Sequence, residues 1–298
     1  MSGLNRTLKG EYEDKRLESL HRVLLMMLDD FTEICKNEGL RWFGAYGTNI
    51  GAVRHGGFIP WDDDVDLCMP RADYNKLLKV VPEKYGDKYE VIDQTINENY
   101  PISTARLMLR GTTFADAALA ELNFDSGIFL DIFPLDNRPD NDFLMVRHAL
   151  HAWFWNKIAI AKAQPHPHVL GKGLVPSILR GGTVVANKVL NLPLIRKFNP
   201  NDLALKWSTR YNGIKTTRAG YICDTNPFWD VLNWDDLFPV QEVPFEDIVM
   251  PLPKEYDAWL RVIYGDYMTP PPVEQRYERY PDILDFGPYA AELEEAAK

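Results

Sequence analysis

The chain has 298 residues, of which 46% are hydrophobic and 26% are charged, so it can bury a large globular core. No apolar run reaches the roughly 18–20 residues of a membrane span, no signal-peptide core opens the chain, and three scattered cysteines exclude a disulfide framework. The net charge of −10 hides a basic middle, residues 140–219, with 12 Lys and Arg against 3 Asp, or +9, but without a recognisable nucleic-acid-binding module.

Hydrophobic periodicity and turn residues predict a chain of mixed helices and strands. The opening helix has Leu20, Leu24 and Phe31 at helical spacing, and Gly39 ends it. A short helix is predicted after Gly47, with Thr48 as its N-cap. The other predicted elements are strands over 41–46, 59–69, 90–93, 102–109, 112–116 and 127–136, helices from 71, 142–163, 174–190, 202–212 and 254–264, and a hairpin over 238–253.

Four carboxylates crowd into five residues, at Asp62, Asp63, Asp64 and Asp66. Alternation along a strand places Asp62, Asp64 and Asp66 on one face and Asp63, as a structural residue, on the other. Convergent acids without His or Cys suit Mg²⁺, or Mn²⁺, which takes carboxylate oxygens and bridges to substrate phosphates. The row therefore predicts a metal site for phosphoryl transfer, with Asp64 and Asp66 as the first pair.

A third acid is expected from a neighbouring strand. Asp131 stands alone in "IFLDIFPL", where an unpartnered carboxylate is costly to bury. We expect it to ligate metal and to accept the proton of the acceptor hydroxyl, a step for which a metal-bound water is the alternative.

Substrate phosphate requires donors as well as metal. The turn at Gly47 and Thr48 offers backbone N–H groups and a hydroxyl, and nearby cationic side chains can clamp the remaining charge. The candidates of this second kind are Arg54, His55, Arg71 and Arg106. Two alternatives stay open: Arg71 as a helix cap and His55 as a hydrogen-bonding loop residue.

The block "AYGTNIGAVRHGGFIPWDDDVDLCMPRADY" resembles the signature of the LicD family of phosphotransferases, whose best-known members attach phosphocholine to cell-surface glycans. The likeness continues in "ARLMLRGTTF", "GIFLDIFPLD" and the stretch from "FPVQEVPFEDI" to the proline run at 270–272. The resemblance implies an α+β, nucleotidyltransferase-like mixed sheet flanked by helices, with an inserted helical subdomain. On the sequence, this divides into a catalytic core over 1–139, a basic helical insertion over 140–219, and a C-terminal segment over 220–298 that completes the core and the site.

The resemblance also implies roles for named residues. Gly47 and Thr48 occupy the family's Gly-Ser/Thr position, Asp64 and Asp66 its paired metal-binding acids, and Asp131 its third carboxylate. Asp62 is a further ligand or supports one. The reaction implied is transfer of a phospho-alcohol from a CDP-alcohol, CDP-choline above all, to a hydroxyl of teichoic acid, lipopolysaccharide or capsule, with release of CMP. Because fukutin-type relatives use CDP-ribitol, the fold does not fix the donor.

Two other functions stay open. A true nucleotidyltransferase would use the same site but release pyrophosphate, whereas a non-catalytic glycan- or membrane-binding protein would not need the acids. The basic middle and its Trp153, Phe154 and Trp155 favour peripheral contact with the inner face of the cell membrane, where a lipid-linked acceptor would be met. The predicted location is otherwise cytoplasmic.

Overall fold

In this computed structural model, the described residues are 4, 8–9, 14–97, 100–115, 126–164, 174–223, 226–276 and 281–296. The strands are β1 (Phe43–Gly44), β2 (Asp66–Pro70), β3 (Tyr89–Ile92), β4 (Ala105–Leu109), β5 (Thr113–Ala115), β6 (Phe129–Arg138), β7 (Arg218–Gly220), β8 (Leu232–Asn233), β9 (Gln241–Phe245), β10 (Ile248–Leu252) and β11 (Ile283–Asp285). The helices are α1 (Lys15–Glu38), α2 (Tyr46–Ile50), α3 (Arg71–Val80), α4 (Asp142–Ala163), α5 (Leu174–Leu190), α6 (Pro200–Ser208), α7 (Trp234–Leu237), α8 (Tyr256–Tyr264) and α9 (Ala290–Ala296).

A mixed sheet forms the centre of the fold. Its path runs β1-β2-β6-β4-β3, and the second half of β6 also pairs with β7, which pairs with β8. The β2–β6 pair is parallel, whereas β1–β2, β4–β6 and β3–β4 are antiparallel. The predicted α+β class, a mixed sheet flanked by helices, is confirmed. The long strand β6 lies at the middle of the sheet, between β2 and β4.

Helix α1 supplies much of the core. Asp14 caps its start by accepting a hydrogen bond from the backbone of Arg16, and Gly39 ends it at φ 63°, as the sequence predicts. Between these ends, Leu20, Leu25 and Phe31 are fully buried. A helix that is apolar on most of its circumference is typical of a core position.

The basic middle forms helices close to those predicted, and α4 packs against both α5 and α6. Asn156 of α4 donates to Ser103 Oγ at 2.7 Å, which ties this helix to the loop before β4. The division into segments 1–139, 140–219 and 220–298 stays a prediction. Within the described ranges, no helix combines the length and the apolar character needed to cross a bilayer.

Several predicted elements are wrong in detail. The strand expected over 59–69 begins only at Asp66, because a turn in which the Asp62 amide donates to the Ile59 carbonyl (3.0 Å) interrupts it. The strand expected over 41–46 keeps only β1, and α2 begins at Tyr46, so Thr48 lies inside the helix and is not its N-cap.

The strands predicted over 102–109 and 112–116 are separated by only two residues, a spacing that favours a hairpin, but they do not pair with each other. Although Gly111 reverses the chain at φ 81°, β4 pairs with β3 and β6, and β5 pairs with β11. The hydroxyl of Thr112 donates to the Leu109 carbonyl and accepts from the Ile128 amide, at 2.7 and 2.9 Å. Through these bonds, the segment that leads into β6 takes the position beside β4 that β5 would occupy in a hairpin.

Candidate active site

Three carboxylates converge just before β2. Side-chain oxygens of Asp62, Asp63 and Asp64 all lie within 4.8 Å of one another, and the three residues are half-buried. We call them the acid triplet. Because they precede the strand, the expected alternation does not apply to them, and the placement of Asp63 on the opposite face is wrong, while its structural role stays a prediction. Hard oxygen ligands at this separation fit Mg²⁺ or Mn²⁺.

Asp66 and Asp131 face each other on neighbouring strands. They are register partners in the parallel β2–β6 pair, and Arg106 is the partner of Asp131 on β4, so the three side chains share one face of the sheet. The Asp131 amide donates to the Val65 carbonyl at 3.0 Å, which brings the chain leaving the acid triplet directly beside Asp131. The sheet therefore gathers acids from two separate parts of the sequence.

Asp131 has a cationic partner that the sequence analysis assigned elsewhere. Arg106 Nε donates to Asp131 Oδ1 at 3.1 Å, and its guanidinium lies 3.7 Å from the centre of the Phe129 ring. Burial raises the pKa of Asp131, and the charge and hydrogen bond of Arg106 oppose that rise. Arg106 thus holds Asp131, so a role as an independent phosphate clamp stays only a prediction.

The turn at Gly47 and Thr48 touches two of the acids. Thr48 Oγ1 accepts a hydrogen bond from the Asp66 amide at 2.9 Å, which fixes the start of β2 against α2. A Cβ added to Gly47 would lie 2.8 Å from Asp62 Oδ2, so this position lets the carboxylate approach the helix backbone. Both residues therefore position acids.

Two residues that sequence reasoning missed also support the site, His21 at the acid triplet and Tyr46 at the start of α2. His21 of α1 has Nε2 2.6 Å from the Asp62 carbonyl oxygen and stacks on Phe58, and burial lowers its pKa to about 4, so the neutral ring donates. Tyr46 has an unusual φ of 44°, and its hydroxyl donates to the buried Asp230 at 2.5 Å. A histidine on the apolar face of α1 could have been recognised in the sequence as a candidate for a buried hydrogen bond, whereas nothing in the sequence around Asp230 indicates its contact with Tyr46.

The loop between α2 and the acid triplet is fixed from the C-terminal part of the chain. Glu246 Oε1 accepts from the Phe58 amide at 3.0 Å, and the Glu246 amide donates to the Gly56 carbonyl at 2.8 Å. A Cβ added to Gly57 would come within 1.9 Å of the same Glu246 oxygen. A side chain at position 57 would therefore displace the Glu246 carboxylate from its bond to the Phe58 amide.

Of the predicted cationic residues, Arg54 and His55 lie on the helical turn at 51–55 that continues α2. The Nε of Arg54 donates to His55 Nε2 at 2.9 Å, and Asp62 is close enough to oppose the lowering of the Arg54 pKa that burial causes. These two residues are therefore near the acids.

Arg71 is not near them. It makes a two-bond ion pair with Asp136, at 2.8 and 2.7 Å, five residues along β6 from Asp131. At about 3.3 Å per strand residue, that is roughly 16 Å away. Arg71 also lines an open groove of about 980 Å³ at that end of the strands. Arg71 is thus engaged with Asp136 away from the acids, and its role as a phosphate ligand stays only a prediction.

A family model matches the region that contains the acids, and two relatives are similar to part of the chain. Residues 39–168 match the family model described as "LicD/FKTN/FKRP, nucleotidyltransferase domain". A lipopolysaccharide cholinephosphotransferase LicD of Haemophilus influenzae is 34% identical over 119 residues, which cover 40% of this chain and 43% of that protein. An uncharacterized protein of Rickettsia prowazekii is 24% identical over 120 residues, covering 40% of this chain and 41% of that protein. The match thus spans less than half the length of either relative.

Proposed function

Because residues 39–168 belong to the LicD family, we propose that this chain transfers a phospho-alcohol, phosphocholine in the first instance, from a CDP-activated donor to a glycan hydroxyl. The observation that carries the proposal is the acid triplet within 4.8 Å beside the Asp66–Asp131 pair. The Haemophilus relative, named a lipopolysaccharide cholinephosphotransferase, supports both the head group and a cell-surface glycan as acceptor, with teichoic acid and capsule as further candidates.

The proposed cofactor is Mg²⁺ or Mn²⁺, held by Asp62, Asp64, Asp66 and Asp131, with Asp63 added by its place in the acid triplet. A bound divalent ion would offset the charge of the donor phosphates and of the departing CMP. The donor set fits because it consists of carboxylate oxygens from a chain that has already been fixed by Thr48 and His21.

The protein's own groups account for the proton. Arg106 holds one oxygen of Asp131, and the other makes no hydrogen bond to any residue in the described ranges, so it can accept the acceptor's proton. The acceptor oxygen then forms a bond to the phosphorus that bears the alcohol. The bond from that phosphorus to the bridging oxygen breaks, and its electron pair leaves with CMP.

The decisive experiment is a donor screen with Mg²⁺. CDP-choline, CDP-ethanolamine and CDP-ribitol are supplied with and without lipopolysaccharide or teichoic acid, and CMP release is measured. We expect Asp66→Asn and Asp131→Asn to lower CMP release at least a hundredfold, because each removes a charge from the site. Asp235→Asn, an exposed acid on α7, is the matched control.

The two other functions predict different products. Pyrophosphate released from a nucleoside triphosphate would identify a nucleotidyltransferase and reject phospho-alcohol transfer. A binding protein would release neither CMP nor pyrophosphate, and Asp66→Asn would leave glycan binding intact.

We also propose peripheral contact with an anionic membrane. Along α4, four apolar side chains at helical spacing are 40–75% exposed: Phe143, Val146, Leu150 and Phe154. They lie within the segment of charge +9, where 12 Lys and Arg face 3 Asp, and apolar and cationic surface together favour an anionic bilayer. Flotation with phosphatidylglycerol vesicles is expected to fail for Phe143→Ser/Leu150→Ser but not for Val262→Ser, an exposed apolar residue on α8. Equal flotation of both variants would reject this contact.

A further inference from the structure

Two arginines share one tryptophan beside the acid triplet. The guanidinium carbons of Arg54 and Arg276 lie 5.9 and 4.5 Å from the centre of the Trp61 ring. His55 meets the same ring edge-on at 5.7 Å. Trp61 directly precedes Asp62, so this cationic cluster and the acid triplet are neighbours in the chain and in space. The cluster consists of Arg54, His55, Trp61 and Arg276.

Neutral groups hold both arginines. Arg54 Nη1 donates to the Tyr267 carbonyl at 2.5 Å, and Arg276 Nε donates to the Pro271 carbonyl at 3.0 Å. Within the described ranges, neither guanidinium forms an ion pair with a carboxylate, although Arg71, Arg106 and Arg261 each do. Positioned guanidinium groups with N–H donors to spare are typical of sites for phosphate and carboxylate.

The electrostatics agree with this geometry. The pKa of Arg54 is lowered first by burial and then by the positive charge of Arg276, while Asp62 opposes both. Burial, Arg54 and Arg276 also lower the pKa of His55, so its ring is neutral near pH 7 and accepts the Arg54 hydrogen bond. Positive charge therefore accumulates next to the acids, and a bound anion would relieve the repulsion between the two arginines.

We propose that Arg54 and Arg276 form an anion site for the phosphate of the nucleotide half of the donor, with Trp61 as the platform on which both guanidinium groups are stacked. The inference rests on the proposed function, since it places CMP, the leaving group, on the cationic side of the acid triplet. Charge-assisted hydrogen bonds there strengthen as the phosphate oxygen takes up the electron pair of the breaking bond.

Arg276 makes the site depend on the C-terminal part of the chain. It lies 108 residues beyond the end of the family match, which covers residues 39–168. Its segment is seated on the helical turn at 51–55 through the Arg54–Tyr267 hydrogen bond and through the packing of Tyr267 with Ile50 and Ile59. The nucleotide side of the site is thus completed from outside the matched domain.

The test is calorimetric binding of CMP, cytidine and inorganic pyrophosphate to the full chain, with and without Mg²⁺. Arg276→Gln is compared with Arg261→Gln, which removes the same charge from a residue that lies against Tyr267 but is already paired with Asp257 at 2.8 Å. We expect Arg276→Gln to weaken CMP and pyrophosphate by at least tenfold and to leave cytidine unchanged. Arg261→Gln should change none of the three.

Further variants keep the outcome clear. Arg276→Lys should bind CMP between the wild type and Arg276→Gln, because it keeps the charge without the planar fork. Wild-type affinity for CMP and pyrophosphate in Arg276→Gln would overturn the anion site, as would an equal loss of cytidine. If Arg276→Gln lost pyrophosphate binding and Arg261→Gln did not, the anion site would stand. If the wild type also released no CMP from any CDP-alcohol, only the proposed function would be rejected.

Discussion

Replacement of Gly47 by alanine separates the geometry of the proposed metal site from the stability of the fold. Gly47 lies in α2 and does not have a positive φ, so its backbone can accept alanine. Alanine also has a helix propensity higher than that of glycine by up to about 1 kcal/mol. The new Cβ would lie 2.8 Å from Asp62 Oδ2, whereas ordinary contacts begin at 3.4 Å, so this oxygen must move by about 0.6 Å.

That displacement is small for the fold and large for a metal ligand. The end of an aspartate side chain can rotate away, so the free energy of unfolding should change by less than about 1 kcal/mol. Mg²⁺ requires near-ideal ligand distances of about 2.0–2.1 Å, and disturbed support of a ligand typically costs tenfold or more in affinity. We therefore expect Gly47→Ala to weaken Mg²⁺ and Mn²⁺ binding on the order of tenfold.

The assay pairs isothermal titration with Mn²⁺ and urea unfolding of the metal-free protein. Gly213→Ala is the matched control, because a Cβ at Gly213 would meet no atom within 4 Å. Unchanged Mn²⁺ affinity in Gly47→Ala would refute the contact between Gly47 and Asp62 as a determinant of the site. A loss of several kcal/mol of stability would refute the view that only a side-chain terminus has to move.

Three further predictions concern groups around the site. Burial lowers the pKa of His21 from 6.5 to about 4, so between these pH values only the unfolded chain binds this proton. The free energy of unfolding should therefore fall by up to about 3 kcal/mol as the pH drops from 6.5 to 4. In urea unfolding at several pH values, His21→Gln should lose this part of the pH dependence. Tyr46→Phe removes a hydrogen bond to the buried Asp230 and should cost about 1–3 kcal/mol in the same assay, and an unchanged midpoint would contradict the anchoring role. Arg71→Met leaves Asp136 without its ion-pair partner and should cost about 3–5 kcal/mol in calorimetric unfolding while Mn²⁺ affinity stays at the wild-type value; weaker Mn²⁺ binding would place Arg71 in the site after all.

Local signals were sufficient for the long helices, but not for the short helices α7 and α9 or for the start of α2. Helix α1 was predictable because its periodicity and the left-handed turn at Gly39 both act within a few residues. Asp131 could also be singled out, since an acid inside an apolar strand requires compensation wherever that strand lies. These inferences depend only on neighbours along the chain.

Pairing across the sheet was beyond local signals. Sequence reasoning supplied metal as the compensating charge for Asp131, whereas the register places Arg106 opposite it, and nothing along the chain distinguishes Arg106 from Arg71 as its partner. The acid triplet was interpreted as strand because its alternation continues that of β2. Asp has a low strand propensity, and the turn at Ile59 to Asp62 ends the pattern.

The residues that immobilise the turn beside the acid triplet come from far along the polypeptide. Tyr46 is bonded to Asp230, the loop at 56–58 to Glu246, and Arg54 to Tyr267. All three of these partners lie beyond residue 168, where the family match ends. A fragment trimmed to the family-matched stretch would lose every one of these braces while keeping each acid. Changes in the C-terminal third would accordingly shift the geometry of the acid site, with the aspartates themselves untouched.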